Sequence, residues 1–153
     1  MKRFILLLVL PVLIGMTGCD DKPVIPTPVS LTQISKGNLY GNGQEQIPEE
    51  KCVIRSTGDW NQLIERIDQV NNVSQDFSET DIDFDQYMVI AIFDKLQMNG
   101  GHAIDITNIV DNDDSIWVKV KYTGPDGAAP SVITQPYCIA KIPRSDKPVI
   151  FLN

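Results

Sequence analysis

The run Tyr87-Met88-Val89-Ile90-Ala91-Ile92-Phe93 has no polar interruption and contains three β-branched residues. A run of this length is short for a buried helix, and its β-branched and aromatic residues favour a strand. A strand that is apolar at every position has to be covered on both faces. We therefore predict a central strand of a sheet over residues 87–93.

The chain after this run alternates between apolar and polar side chains, which is typical of half-buried strands. Met98-Asn99-Gly100-Gly101 predicts a turn. We expect this turn to form a β-hairpin, with Gly100 and Gly101 supplying positive φ angles. Short connections between consecutive strands predict antiparallel pairing. The predicted strands are residues 102–110, 116–122, 132–133, 137–142 and 149–152.

A strand and a helix are predicted before the central run. Residues 51–55 read as a short β-branched strand, and residues 56–59 then offer capping side chains. Trp60, Leu63, Ile64 and Ile67 follow at the spacing of one helix face, which predicts an amphipathic helix with a core tryptophan. The predicted fold is α+β and mainly antiparallel β. Its sheet is sandwich-like or a partly open barrel, with the helix packed on the sheet.

The N-terminus has the order of an export signal. Lys2 and Arg3 precede a short apolar run, and small residues precede Cys19. This pattern resembles a bacterial lipoprotein signal peptide over residues 1–18, which is cut before Cys19 so that its thiol carries diacylglycerol. A retained membrane anchor is the first alternative, but the run is shorter than the ~20 residues that a spanning helix needs. An ordinary secretory signal is the second.

The residues after Cys19 predict a tether. Pro23, Pro26 and Pro28 favour an extended linker, and glycines follow from Gly37 onward. We predict a flexible Pro/Gly-rich tether over residues 19–46 and a β-rich domain over residues 47–153. Within this stretch, residues 31–50 form either a loop or an irregular edge strand.

Composition excludes some partners. The formal net charge of the chain is −7, and cleavage of the signal would remove Lys2 and Arg3. An acidic chain argues against binding to nucleic acid or to anionic lipid through a basic patch. The membrane contact that we predict is the lipid on Cys19.

Metal and catalytic motifs receive little support from the sequence. The alternating acids of residues 81–85 resemble the start of a calcium loop, but Gln86 and Ile92 occupy the positions where an EF-hand needs Gly and Glu. We expect these acids to form a solvated edge, with Ile82 and Phe84 facing inwards. His102 is the single histidine, and no serine lies in a GxSxG motif. We therefore predict no metal, no cofactor and no catalytic residues.

Two further cysteines remain once Cys19 is set aside. These are Cys52 and Cys138. Two thiols in a chain that is predicted to be exported to an oxidising compartment are compatible with a disulfide. The alternative is two separate buried thiols that act as small apolar side chains. The sequence leaves both open.

Residues 83–153 resemble the C-terminal domain of the PrcB family. The resemblance rests on an apolar strand at 89–93, on residues 99–106 with the glycine pair, on Gln135-Pro136-Tyr137 and on Lys141-Ile142-Pro143. That family takes its name from a lipoprotein subunit that associates with and stabilises a surface protease complex. His102 stands where the family more often has tyrosine.

The resemblance and the signal together imply a non-enzymatic, lipid-anchored protein on the periplasmic or surface side of a bacterial envelope membrane. Such a protein would bind and stabilise or regulate an exported protease or another envelope complex. One alternative is a protease inhibitor of the chagasin type, and another is a domain that binds a small ligand or glycan through exposed Trp60 and Trp117. The predicted partner-binding residues are Met98, Asn99, Gly100, Gly101 and His102.

Overall fold

The structure is a computed structural model, and it describes residues 25–153. The predicted signal peptide, Cys19 and the first residues of the predicted tether lie outside the described residues. The elements are β1 (Thr27–Pro28), β2 (Thr32–Leu39), β3 (Glu50–Ile54), α1 (Thr57–Ile67), a 3₁₀ helix (Val73–Asp76), β4 (Tyr87–Phe93), β5 (Ala103–Asn112), β6 (Ser115–Thr123), β7 (Gln135–Pro143) and β8 (Val149–Leu152).

The strands form two four-stranded sheets. Sheet A has the order β1-β5-β6-β8, and sheet B has the order β2-β7-β4-β3. Apolar side chains of both sheets share one core, so the sheets pack face to face as a sandwich. The prediction of an α+β, sandwich-like fold is confirmed, and the strands do not close into a barrel.

Strand β4 contributes side chains to both hydrophobic cores, because both of its faces are buried. Met88, Ile90 and Ile92 face sheet A, and the intervening residues 89, 91 and 93 face the layer that contains α1. Residues 88–93 are all fully buried. The predicted central strand is therefore confirmed, and its unbroken apolar sequence reflects a sheet that is covered on both sides.

Helix α1 begins where the sequence predicts it. Ser56 is the N-cap, and its Oγ accepts a hydrogen bond from the backbone N–H of Asp59 at 3.1 Å. Trp60, Leu63 and Ile67 form the buried stripe and contact the outer face of sheet B. The Trp60 Nε1 donates a 2.7 Å hydrogen bond to the Thr80 carbonyl, which satisfies its polar atom inside the core. The predicted amphipathic helix is confirmed.

The predicted tether does not extend over Thr32–Leu39, because these residues form β2 at an edge of sheet B. Ile34 and Leu39 are buried on the core side. A register shift between Gln33 and Ser35 breaks the alternation that would otherwise have revealed the strand. The alternative of an irregular edge strand is therefore the correct one for this stretch.

The predicted β-hairpin at the glycine pair is wrong. Strands β4 and β5 lie in different sheets, and residues 94–102 cross from sheet B to sheet A. We call residues 94–102 the crossing segment. Strand β4 already has β3 and β7 on its two sides, so it has no free edge for β5. Of the two glycines, Gly101 has a positive φ, +85°, and Gly100 does not.

Two smaller predictions also need correction. Strand β8 pairs parallel with β6, whereas we expected each strand to pair antiparallel with its neighbour in the sequence. Val132 and Ile133 do not form a strand, and the neighbouring Thr134 makes a single bridge to Gln97. In both cases the backbone pairs with a segment that is distant in the sequence and not with the preceding strand.

Candidate functional site

Three connections meet at one end of the sandwich. They are residues 40–47 between β2 and β3, the crossing segment, and residues 124–134 between β6 and β7. We call the surface that these three connections form the loop face. It contains all five residues that the sequence predicts for partner binding.

The side chain of Gln135 joins two of the three connections. It is 2% exposed, and its Nε2 donates hydrogen bonds of 2.8 Å to the carbonyls of Ile47 and Asp94. Asp94 is also buried, and its carboxylate accepts bonds from the Lys95 backbone N–H and from the Gln97 side chain. These bonds fix the start of the crossing segment against residues 40–47.

The middle of the crossing segment is held by residues 124–134. Gln97 and Thr134 exchange two backbone hydrogen bonds of 2.7 and 3.0 Å, and the Gly100 N–H donates to the Pro130 carbonyl at 2.9 Å. A Cβ atom at Gly101 would lie 3.0 Å from the Cβ of Pro125. The positive φ and this close approach together explain why position 101 needs glycine.

The structure separates the five predicted residues by accessibility. Met98 is 73% exposed, whereas Gly100 is buried against Pro130 and Val132. The His102 Nε2 lies 2.9 Å from the Asn99 Oδ1, and its ring is close to Gly124. Met98 and Gly101 are therefore the two exposed members of the five, whereas Asn99 and His102 are half-buried and Gly100 is buried.

Besides Tyr40, which is 59% exposed, two exposed apolar residues of the loop face were missed by the sequence analysis. Leu96 is 44% exposed and contacts residues 40–47 near Gly43, and Val132 is 37% exposed next to Gly100. Leu96 stands in a polar connection without periodicity, and Val132 had been interpreted as part of a strand. Neither carries a signal that sequence reasoning could use.

The acidic residues between positions 81 and 85 lie at the surface of the protein. Ile82 and Phe84 are buried while the three acids between residues 81 and 85 are exposed, so the predicted solvated edge is confirmed. Within residues 25–153, no three His, Cys, Asp or Glu side chains come together to hold a metal ion. No helix of that same part of the chain is long and apolar enough to cross a membrane.

The two cysteines are free, so the disulfide alternative is wrong. Cys52 lies on β3 and Cys138 on β7, and β4 runs between these strands. The two side chains also face opposite sides of sheet B, because Cys52 packs towards α1 and Cys138 towards sheet A. A bridge is therefore geometrically excluded.

Burial makes both thiols poor nucleophiles. Desolvation, with a smaller contribution from the Glu50 carboxylate, raises the pKa of Cys52 to about 11. Burial likewise raises the pKa of Cys138. Because the thiolate is the reactive form, neither residue is set up for thiol chemistry at neutral pH.

We expect the native thiols to react slowly with an aromatic disulfide reagent. In a Cys19→Ser variant, both thiols should be labelled at pH 8 at least ~10-fold more slowly in buffer than in denaturing urea, since only unfolding frees the thiolates. Rapid labelling of the folded protein, or a loss of thermal stability on adding a reductant, would contradict this assignment.

Folding raises the pKa of Cys52 from 9.0 to about 11, so its stabilising contribution is complete below pH 9 and is lost as the pH rises towards 11.

Trp60 cannot belong to an open ligand site. It is 1% exposed, whereas Trp117 on the outer face of sheet A is 37% exposed. The hypothesis of a ligand or glycan site required both rings to be accessible. Of the two tryptophans in that hypothesis, only Trp117 is accessible to a ligand.

Comparison with known protein families gives a match. The model of the family described as PrcB C-terminal matches residues 88–143, which confirms the resemblance over that range. No curated protein and no solved structure matches the chain. The matched range runs from β4 through the crossing segment, β5 and β6 to the end of β7.

Proposed function

We propose, from the match of residues 88–143 to the PrcB C-terminal family, that this chain is a non-enzymatic, lipid-anchored protein of the bacterial cell envelope. It binds an exported protease or another envelope complex and stabilises or regulates it. The observation that carries the proposal is where the match falls. It includes two of the three connections of the loop face, namely the crossing segment and residues 124–134.

The loop face has the composition of a binding surface. Met98, Leu96 and Val132 place exposed apolar side chains on it, in a chain of net charge −7. Methionine is flexible and polarizable, so it adapts to apolar partner surfaces. A few such side chains carry most of the binding energy in a typical interface.

The loop face is also preorganised. The Gln135 bonds, the two bonds between Gln97 and Thr134 and the Gly100 bond hold the backbone beneath Met98 in one conformation. A segment that is already ordered loses less conformational entropy when it binds. This rigidity supports a role in protein recognition better than a role as a plain surface connection.

The lipid anchor is proposed from the residues around Cys19. Small residues precede this cysteine after a short apolar run, and two acyl chains on its glycerol would give stable membrane attachment. Mass spectrometry of the mature N-terminus tests this directly. We expect a diacylglyceryl-modified Cys19, and an unmodified amino terminus on a freely diffusing protein would remove the anchor from the proposal.

Met98→Glu should strongly reduce partner capture while leaving the fold intact. Met98 is 73% exposed, so the new carboxylate remains solvated in the free protein but would be desolvated in an apolar interface. We expect affinity capture from membranes to recover at least ~10-fold less of the co-purifying protease, a loss equal to one decade in affinity. The measurement is quantitative mass spectrometry of the captured fraction.

Val70→Glu is the matched control, because Val70 is 41% exposed and lies beyond the end of α1, outside the connections that form the loop face. It should recover as much protease as the native protein. Equal recovery with both variants would show that the loop face is not the binding site. If the purified protein instead lowers the activity of the captured protease, the inhibitor alternative replaces the stabilising role.

A further inference from the structure

A second surface lies along the free edge of sheet B. Strand β2 pairs with β7 on one side only, and its other side borders a groove of about 810 Å³. The groove is lined by residues 33–38 of β2 with Tyr137 of β7, and on the opposite wall by Asn71, Asn72, Val73, Asp76 and Ser78. It borders the loop face at Tyr40 and contains no residue of the crossing segment.

The backbone of β2 offers unused hydrogen bonds to this groove. Asn38 stands opposite Pro136, which has no N–H, and the Pro136 carbonyl accepts from the Asp94 N–H on the other side. Asn38 therefore forms a non-hydrogen-bonded pair, and its own N–H and C=O point away from β7. Since the pattern repeats every two residues, the N–H and C=O of Lys36 also point into the groove.

Part of this edge is already occupied, which sets the length of the free stretch. The Ile34 carbonyl accepts a 3.0 Å hydrogen bond from the Ser78 N–H. In the part of the chain that the structure describes, the outward groups of Lys36 and Asn38 have no such backbone partner. The free edge therefore accommodates an extended segment of about five residues, at ~3.3 Å per residue.

The charges of the groove favour a basic occupant. Asp76 is exposed on the groove wall and makes no ion pair within residues 25–153, whereas Lys36 is already paired with Asp105 on β5. The other residues of the groove wall, Tyr40, Asn71, Asn72, Val73 and Ser78, carry no charge. Opposite charge on a partner would be attracted here, and the net charge of −7 acts in the same direction.

The floor of the groove is rigid. The Tyr137 ring is 4% exposed and packs against Gly37, with the Tyr137 hydroxyl 3.0 Å from the Ser35 hydroxyl. Gly37 adds no side chain that would obstruct a strand lying beside β2. We propose that the groove binds an extended, positively charged peptide segment of another protein, which joins sheet B as an added strand through the backbone of Lys36 and Asn38.

The edge itself can be checked first by hydrogen exchange. The Gly37 N–H faces Tyr137 inside the sheet, whereas the N–H groups of Lys36 and Asn38 face the groove. We expect these two amides to exchange at least ~10-fold faster than that of Gly37 in the free protein, and to become protected when a peptide binds. The readout is residue-resolved exchange by nuclear magnetic resonance.

The binding experiment uses a random peptide library displayed on phage and selected against the chain with Cys19→Ser. The enriched peptides are synthesised with a fluorophore and titrated. Asn38→Pro removes an outward N–H without removing a bond to β7, and edge strands tolerate such prolines. We expect enriched peptides rich in Lys or Arg, with affinity for Asn38→Pro reduced at least ~10-fold.

Lys51→Pro is the matched control on the opposite edge of sheet B. Because Asp94 bonds to Pro136, Ile92 points its backbone groups towards β7, so the N–H of its partner Lys51 points away from β4. This variant should bind peptide normally. Asp76→Asn changes a surface side chain without affecting the strand, and it should weaken binding several-fold and reduce its salt dependence.

The proposal is overturned if no peptide is enriched, or if Asn38→Pro and Asp76→Asn both bind as the native protein does. Loss of peptide binding in Met98→Glu would assign it to the loop face instead. A native dimer that Asn38→Pro converts to a monomer would show that a second copy of this chain occupies the edge. Peptide binding that survives Met98→Glu supports the groove whether or not the protease proposal holds.

Discussion

Replacing Trp60 with alanine should destabilise the native state by about 3–5 kcal/mol, the range found for large aromatic side chains in cores. Trp60 is 1% exposed, its ring centroid lies 6.1 Å from that of Phe77, and its Nε1 bonds to the Thr80 carbonyl. The change would leave a cavity between α1 and sheet B and an unpaired carbonyl. A domain of this size has a total stability of only about 5–15 kcal/mol, so the loss is a large fraction of it. Urea unfolding followed by far-ultraviolet circular dichroism measures it.

The chain supplies its own control in Trp117. This residue is 37% exposed, and its Nε1 bonds to the Ser115 hydroxyl at 3.0 Å on the outer face of sheet A. Trp117→Ala should cost less, about 1–2 kcal/mol, because part of its ring already faces water and its removal leaves no closed cavity. Acrylamide should quench the fluorescence of Trp117 and leave that of Trp60 largely unaffected. Equal losses of stability in the two variants would mean that α1 does not pack on sheet B.

Gln135→Leu should destabilise the protein by about 2–4 kcal/mol, even though leucine has a similar volume. The variant removes both donors that reach the carbonyls of Ile47 and Asp94, and a buried carbonyl without a partner costs ~1–3 kcal/mol. The loss is partly offset because the Gln135 Oε1, which is buried without a partner among the described residues, disappears as well. The measurement is the shift of the urea midpoint.

The region in which hydrogen exchange becomes faster distinguishes this effect of Gln135→Leu from a general loss of stability. Hydrogen exchange should increase first in residues 40–47 and in the crossing segment, because Gln135 joins these two connections. Gln69→Leu, at an exposed position just beyond α1, should change stability by no more than ~0.5 kcal/mol. Uniform acceleration of exchange throughout sheet B would argue against a specific role for Gln135 in holding the loop face.

The secondary structure of this protein follows from short-range patterns. The unbroken apolar run of β4 and the stripe of Trp60, Leu63 and Ile67 are strong signals, because each reflects the surroundings of a single element. Strand β2 was harder to recognise. Its register shift breaks the alternation, and its glycine gives no propensity signal.

The pairing of strands was the part that the sequence could not decide. A glycine turn between two apolar strands is compatible with a hairpin and with a crossing between sheets. The choice here depends on β7, which occupies the side of β4 that a hairpin would have used. The same limitation applies to β8. It follows β7 of sheet B along the chain, but it pairs in parallel with β6 of sheet A.

The sequence predicts which residues lie together in the crossing segment, because they are consecutive in the chain. It does not predict the bonds that hold that segment in place. The part played by Gln135 could not be anticipated, because its two bonds reach residues 41 and 88 positions away in the chain. The free thiols were also undecidable, since sequence does not show which face of a sheet a cysteine occupies.

Sheet B joins residues from opposite ends of the chain, and this has a consequence for how the protein reaches its native state. Ser35 and Tyr137, which touch across β2 and β7, are 102 positions apart. Contacts of such long range make folding slow, on the millisecond-to-second scale typical of β-sandwiches. Because β7 lies between β2 and β4, a nascent chain that has not yet emerged beyond β6 must keep both strands soluble without their common neighbour. This interval is when the polypeptide is most prone to aggregate and most dependent on chaperones.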